Sequence, residues 1–348
     1  MQGKRNLFTG LVIGIFVTGA IAYFFIKPYL QKQEQSRQIQ ITQQAEILEA
    51  SKKSSYAPML KFILDRISDE MKQHPDGILS DALIEKVAAM CYVFQPYYHP
   101  PDDSLPNKKL SPERGQLLLL LTTMKIDSAI FRRIKSKSSF EYADLRQADL
   151  SGSDLRGADL KGAELENANL QESKLNDADL SFANLWGAKL NHAQLIGANL
   201  KRAELSWADL SDADLRISTL DEANLVSAQL RKANLHGASC QWVDFSEAFL
   251  NGADASGTDL FRTVFRKAQL VQTNFSGSKM TYTVLIEANL NETNFTDADL
   301  SNAILSDPNW MSMLDTWKVL GAEDIRVKYK LTESKTFYKD SKFQLFAK

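Results

Sequence analysis

Ala143-Asp144-Leu145-Arg146-Gln147-Ala148-Asp149-Leu150-Ser151-Gly152 sets a five-residue period that the chain keeps as far as Leu305. Counted in fives, Leu145, Leu150, Leu155 and Leu160 begin an unbroken row of leucines that runs to Leu235, with Phe140 one step ahead of it. The same phase then holds Cys240, Phe245, Leu250, Ala255, Leu260, Phe265, Leu270, Phe275 and Met280, and closes on Leu285, Leu290, Phe295, Leu300 and Leu305. Of these 34 centres 26 are Leu, and the register never slips. Two residues before each centre stands a small residue, Ala in 23 of 33 places and otherwise Ser, Thr or Val243. Helix faces recur about every 3.6 residues and strand faces about every 2, so neither element buries such a row on one side. A chain that turns a corner every five residues does. The centre and the small residue then point inward and the other three outward. Self-similarity at a short fixed period marks a solenoid.

The triplets Ala143-Asp144-Leu145, Ala148-Asp149-Leu150 and Ala158-Asp159-Leu160, with their successors, resemble the pentapeptide-repeat family. The resemblance covers nearly half the chain and rests on two positions per repeat. It implies an all-β solenoid, a right-handed, four-sided β-helix with four pentapeptides to the coil. Coils stack like paired strands about 4.8 Å apart, so the repeats make roughly eight and a half coils and a rod about 40 Å long. The narrow interior takes one large and one small side chain per face, which accounts for Leu beside Ala. At ~1.5–3 kcal/mol per buried Leu, the centres supply tens of kcal/mol before the entropy of ordering is subtracted. Each coil touches only its neighbours, so both open ends need covers. Ala255 lacks the bulk of the other centres. Phe275, twenty residues on in the same column, is expected to fill the space it leaves.

The remaining sequence divides the chain into five parts: an anchor at 1–30, a stalk at 31–56, a small helical domain at 57–138, the β-helix at 139–305 and a cap at 306–348. Leu7 to Ile26 is free of charge and follows Lys4 and Arg5, a length that matches the core of a bilayer. Two readings stand, a retained single-span anchor and a cleaved signal peptide, since Ala20-Ile21-Ala22 has the form of a cleavage site. The short positive head favours the inside, which places the body on the exported side of a membrane; Lys27, Lys32 and Arg37 leave the cytoplasmic side open. Gln31 to Lys53 is polar and free of Pro and Gly, and reads as a helical stalk.

Three or four amphipathic helices follow. Pro58–Met71 carries Leu60, Ile63, Leu64 and Ile67, and Asp81–Phe94 carries Leu83, Ile84, Val87 and Met90. The Pro-rich run Gln95–Pro106 breaks the pattern. Ser111-Pro112 opens a helix to Thr123 and Asp127 caps another to Ile134. This domain is placed to cover the first coil. Beyond Ser306-Asp307-Pro308, Asn309 to Leu320 sets Trp310, Met313, Leu314, Trp317 and Leu320 on one helical face, which either closes the last coil or joins two copies as a homodimer. Gly321 is expected to end that helix, Ile325–Leu331 to form a half-buried strand, and Lys342–Phe346 to pair with it.

No catalytic, cofactor or metal constellation emerges. His99, between Tyr98 and Pro100, reads as part of a stiff loop, and His74, His192 and His236 share no ligand spacing. No nucleophile elbow, phosphate loop or zinc-type Cys cluster is present, and Cys91 and Cys240 make no disulfide framework. The carboxylates ahead of the centres recur with the repeat and read as turn hydrogen-bonders. Residues 140–305 hold 14 basic and 24 acidic side chains, an acidic rod that will not bind nucleic acid through its phosphates. The leading reading is a membrane-anchored, non-catalytic scaffold for another protein. Its rival comes from the resemblance: some members of the family mimic DNA and regulate or protect topoisomerases. One outward column, twenty residues to the step, is unusual: Tyr142, Gly162, Phe182, Arg202, Glu222, Trp242, Arg262, Tyr282 and Asn302. Aromatics and Arg are the residues richest in interface hot spots, so this column is the expected partner-binding strip, widened by Trp186 and Trp207 on the adjacent face.

Overall fold

The computed structural model describes residues 56–98, 109–124, 126–333 and 343–348. The expected anchor at 7–26, the stalk at 31–53 and His99 lie outside them. Among the described residues no helix is long and apolar enough to cross a membrane.

From Phe140 onward each pentapeptide repeats one hydrogen-bond scheme, and Leu210–Asp214 displays all of it. The Leu210 N–H donates to the Gln229 carbonyl (2.7 Å) and the Asp212 N–H to that of Arg231 (2.9 Å), both in the following coil. The Asp214 N–H donates to Ala193 in the preceding coil (2.9 Å), and the Ala213 N–H closes the corner on Leu210 (3.0 Å). Only the Ser211 N–H is left, and the Asp209 carboxylate accepts it at 3.0 Å. Every main-chain donor of the repeat is thereby answered. The residue before a centre is so often Asp or Asn because its short side chain bridges the corner as an Asx turn. Parallel pairs such as Asp144↔Glu164, Asp209↔Gln229 and Val284↔Ile304 keep a constant offset of twenty residues. The coil is therefore four pentapeptides.

All the centres from Phe140 to Leu305 are buried, Cys240 and Ala255 included. The row of small residues is buried too, apart from half-buried Ser153 and Ala288. Most buried hydroxyls in that row find carbonyls: Ser218 Oγ donates to Leu215 (2.6 Å) within its own turn, and Thr263 Oγ1 to Cys240 (2.6 Å) in the coil before, while Ser173 Oγ has no partner among the described residues. Phe245 and Phe265 stack in one column (5.2 Å), and Phe275 and Phe295 in another (5.6 Å). Phe275 lies in the column of Ala255, but its ring stacks on Phe295 in the following coil and meets Phe265 across the core at 5.6 Å.

Among the described residues four helices precede the rod: α1 (Ala57–Gln73), α2 (Asp81–Val93), α3 (Pro112–Thr123) and α4 (Ser128–Lys137). Ser111 Oγ accepts the Arg114 N–H (3.2 Å), and Asp127 accepts those of Ala129 (2.9 Å) and Ile130 (3.1 Å), the two caps expected from sequence. Within the run expected to be irregular, β1 (Tyr97–Tyr98) pairs antiparallel with β2 (Lys109–Leu110). Ser111 then behaves like a piece of a coil before the first: its N–H donates to Tyr142 (2.8 Å) and its carbonyl accepts from Asp144 (3.2 Å). Gly115 sits so close to that edge that a Cβ would lie 2.1 Å from the Asp144 carbonyl oxygen. In later coils the carbonyls equivalent to Glu141 and Asp154 accept from the coil before, as Lys161 does from Tyr142 (2.9 Å). The first coil has no predecessor, and two buried cations stand in for it. Arg114 donates to Glu141 (2.7 Å) and Cys91 (2.8 Å), and Lys135 Nζ donates to the Asp154 carbonyl.

The far end is closed by β3 (Ile304–Leu305), α5 (Trp310–Thr316), α6 (Ala322–Lys328), β4 (Tyr329–Glu333) and β5 (Phe343–Ala347), with the antiparallel sheet order β3-β5-β4. Trp310 and Leu314 are buried, and Trp310 meets Trp317 edge to face at 6.4 Å, so the apolar stripe packs inward as a cap. Three expectations need correcting. The helix stops at Thr316, and Leu320 is 58% exposed; its main chain instead lies along the last coil, accepting from Phe295 (2.9 Å) and donating to Thr293 (2.9 Å). Residues 322–328 are helix, and only Tyr329 onward is strand. Glu323 and Asp324 at its start and Arg326 and Lys328 at its end complement the helix dipole. Gly321, at φ 83°, begins this helix instead of ending the previous one.

Candidate interaction surface

Each member of the outward column is the second residue after a centre, where the corner needs a left-handed backbone: φ is 57° at Tyr142, 60° at Trp242 and 57° at Arg262. A positive φ at this place is what a type II turn requires. Main-chain bonds to the next coil pin these corners, for example Trp242 N–H to Phe261 (2.9 Å) and Arg262 N–H to Thr281 (3.0 Å). The side chains are thus presented outward from a rigid ladder. Phe182 is 49% exposed and Trp242 52%, with Tyr142 and Tyr282 less so.

The column breaks into three groups. Tyr142 lies over Gly162, where a Cβ would come within 2.5 Å of its ring. Arg202 reaches over Phe182 (5.7 Å) and donates to Glu222 through Nε at 2.6 Å. Arg262 lies over Trp242 (4.4 Å), Phe261 (5.3 Å) and Tyr282 (5.5 Å). Phe261 was not among the residues singled out from sequence. It occupies the first corner position instead of the second, and reading both positions of one corner together would have found it. Trp186 and Trp207 are exposed on the adjacent corner, but among the described residues no ring contact joins them to the column.

The carboxylates nearby are engaged. Asp221 accepts from Ser239 Oγ (2.6 Å) and the Gln241 N–H (3.0 Å). Asp259 accepts from the Phe261 N–H (3.2 Å) and Gln241 Nε2 (3.2 Å). Elsewhere Asn side chains tie coil to coil, as Asn199 does to Asp179 (3.0 Å) and Asn224 to Glu204 (2.8 Å). No cluster of metal-ligating side chains occurs among the described residues. Both cysteines are buried thiols: burial pushes Cys91 up to about 11 and Cys240 further still. Such thiols are poor nucleophiles.

A chain that turns a buried corner every five residues and pairs with itself every twenty is a pentapeptide-repeat β-helix. The model of pentapeptide repeats matches residues 138–177, 178–216, 238–277 and 268–307, and the protein belongs to this family, whose fold is a right-handed β-helix. HetL from the cyanobacterium Nostoc sp. strain PCC 7120, a pentapeptide repeat protein involved in regulating heterocyst differentiation, is 31% identical over 49% of this chain and 84% of its own, with a TM-score of 0.23. Rfr23 from the cyanobacterium Cyanothece 51142 is 22% identical over 36% of this chain and 88% of its own, TM-score 0.26. QnrB1, a plasmid-mediated fluoroquinolone resistance protein, is 18% identical over 49% of this chain and 97% of its own, TM-score 0.30. Comparison with curated proteins finds no match.

Proposed function

We propose that the rod is a non-catalytic scaffold that docks another protein on the column from Tyr142 to Tyr282. The observation that carries this reading is the assembly of exposed rings and arginines at corners whose backbone is fixed by the ladder. Preorganised aromatic and Arg anchors lose little entropy on binding. The stack also holds itself together, and experiment separates docking from a purely structural role. Replacing Phe182, Trp242 and Tyr282 by Ser in the full chain leaves the melting temperature nearly unchanged and abolishes co-purification of the main partner. An unfolded triple variant makes the column structural, and a folded one that still binds moves the contact elsewhere. DNA mimicry finds less support, because many of the carboxylates ahead of the centres hold corner N–H groups or neighbouring Asn side chains.

The uncharged segment from Leu7 to Ile26 supports attachment to a membrane with the body on the exported side. A reporter fused after Lys348 tests this, and activity characteristic of the cytoplasm would reverse the orientation.

A further inference from the structure

Of the rod's arginines that lie over rings without a carboxylate, Arg231 meets Phe249 alone (5.0 Å), whereas Arg262 is set among three rings. Arg146, Arg156 and Arg216 each grip an Asp two residues earlier, and Arg202 holds Glu222. The matching positions around Arg262 are Leu260 and Tyr282, so the repeat offers it no carboxylate. Among the described residues its side chain makes neither an ion pair nor a hydrogen bond, and its guanidinium lies over three rings. Those rings brace one another, Trp242 against Phe261 at 6.1 Å and Phe261 against Tyr282 at 6.0 Å, both edge to face. The guanidinium is therefore held in place while its donors remain unanswered.

We propose that Arg262 receives the carboxylate of an Asp or Glu side chain from the docked protein, whose flanking apolar residues pack on Trp242 and Tyr282. This rests on the docking reading above and names the chemistry of the partner. A planar guanidinium takes a carboxylate through two parallel hydrogen bonds, and aromatic stacking leaves its in-plane donors free for them. The surroundings select a single carboxylate over a polyanion: Asp221, Glu222 and Asp259 share this corner region, and the rod as a whole is acidic.

The test is a titration of the full chain, isotope-labelled at Arg and Trp, with the peptide acetyl-Leu-Glu-Leu-amide and with its Gln counterpart. The expected result is a saturable shift of the Arg262 Nε–H and Trp242 indole N–H signals with the Glu peptide and none with the Gln peptide. Arg262→Lys keeps the charge but loses the fork, and weakens the affinity read at Trp242 about tenfold, with the melting temperature unchanged. An equal response to the Gln peptide, tighter binding of inorganic phosphate than of the Glu peptide, or no response up to the peptide's solubility limit overturns the assignment. The two readings fail separately. If Arg262→Lys retains the partner as fully as the parent, the carboxylate contact is wrong and the docking column stands. If the triple Ser variant still binds the partner, the column is wrong whatever the peptide does.

Discussion

At a single corner the backbone asks for a conformation that L-residues resist. Every corner residue from Tyr142 to Asn302 has positive φ, yet only nine of them are glycine. Asn and Asp tolerate this region, whereas other side chains cost about 1–2 kcal/mol there. Ile217 is the extreme case, β-branched, at φ 52° and 64% exposed, in a column whose neighbours are Gly197 and Gly237. Ile217→Asn removes the crowding at Cβ and is expected to raise stability by about 1 kcal/mol, read as a higher denaturation midpoint. An unchanged or lower midpoint would mean that Ile217 makes a contact worth more than its strain. Asp154 is a second informative residue, since it faces the cap. Hydrogen bonding from Arg156 first, and the charge of Lys135 after it, hold its carboxyl well below the usual carboxylate range. Lys135 is also shifted down, for a different reason: its burial outweighs the attraction of Asp154. A carboxyl depressed in the fold stabilises it above the unfolded pKa, near about 4, and that contribution is lost as pH falls towards the folded value. Asp154→Asn is therefore expected to lower the melting temperature at neutral pH and to narrow its gap from the parent in acid. A gap independent of pH counts against the ion pair.

Coils, helices and strands obey a different logic, since each coil is interchangeable with the next. The twenty-residue offset holds from Asp144↔Glu164 to Val284↔Ile304. Deleting Leu210–Gln229 removes one turn and brings Asp209 beside Phe249 with every column still aligned. Deleting only Leu210–Asp214 shifts all later columns by one face and sets corners against the wrong neighbours. The longer deletion is expected to melt cooperatively close to the parent, while the shorter loses protease resistance. Equal damage from both would contradict a four-sided coil. This regularity is why the rod was legible in the sequence. One inward pair repeats more than thirty times, and no competing period survives that many matches. The caps at Ser111 and Asp127 were legible for a local reason, a side-chain acceptor next to the donors it serves. The stretch from Ile325 to Lys328 was not. Seven residues fit a helix or a strand about equally, and contact with the end of the rod decides. Ile325 is buried but Val327 is 71% exposed, so the alternation of a half-buried strand fails across this stretch. In the candidate surface the column was visible once the coil length was known. The stacking of Phe261 with Arg262 was not, because side-chain direction at a corner is not written in the period. Phe275 shows the same limit: its column was legible, but its pairing with Phe295 was not.

Viewed as one body, the rod is strong along its length and vulnerable at its ends. Coils in the middle have neighbours on both sides, and the terminal ones depend on segments outside the repeat. At the first coil the replacement is made by Ser111, Arg114 and Lys135. At the last, Trp317 and Leu320 accept from Glu292 (2.6 Å) and Phe295 (2.9 Å), and Leu345 accepts from Asn302 (2.7 Å). Tyr329 adds a side-chain contact, its hydroxyl accepting the Leu300 N–H at 3.2 Å. Cutting the chain after Leu305 strips these partners away and uncovers Leu290, Phe295, Leu300 and Leu305, all buried in the intact protein. An open edge with unpaired N–H groups over an apolar column is a template for another copy. The truncated protein is therefore expected to keep the β signal of the rod by circular dichroism. In light scattering it grows into oligomers, with hydrogen exchange fastest in the last coil and still slow in the middle. Adding charge on the exposed column, as in Phe295→Lys made within the truncation, should reduce this growth by making edge-to-edge stacking unfavourable. A truncated chain that stays monomeric, with the last coil as protected as before, would show that the C-terminal segment does not close the rod. The buried stripe of Trp310 and Leu314 would then need another explanation, and pairing of two copies through that face would return as the alternative.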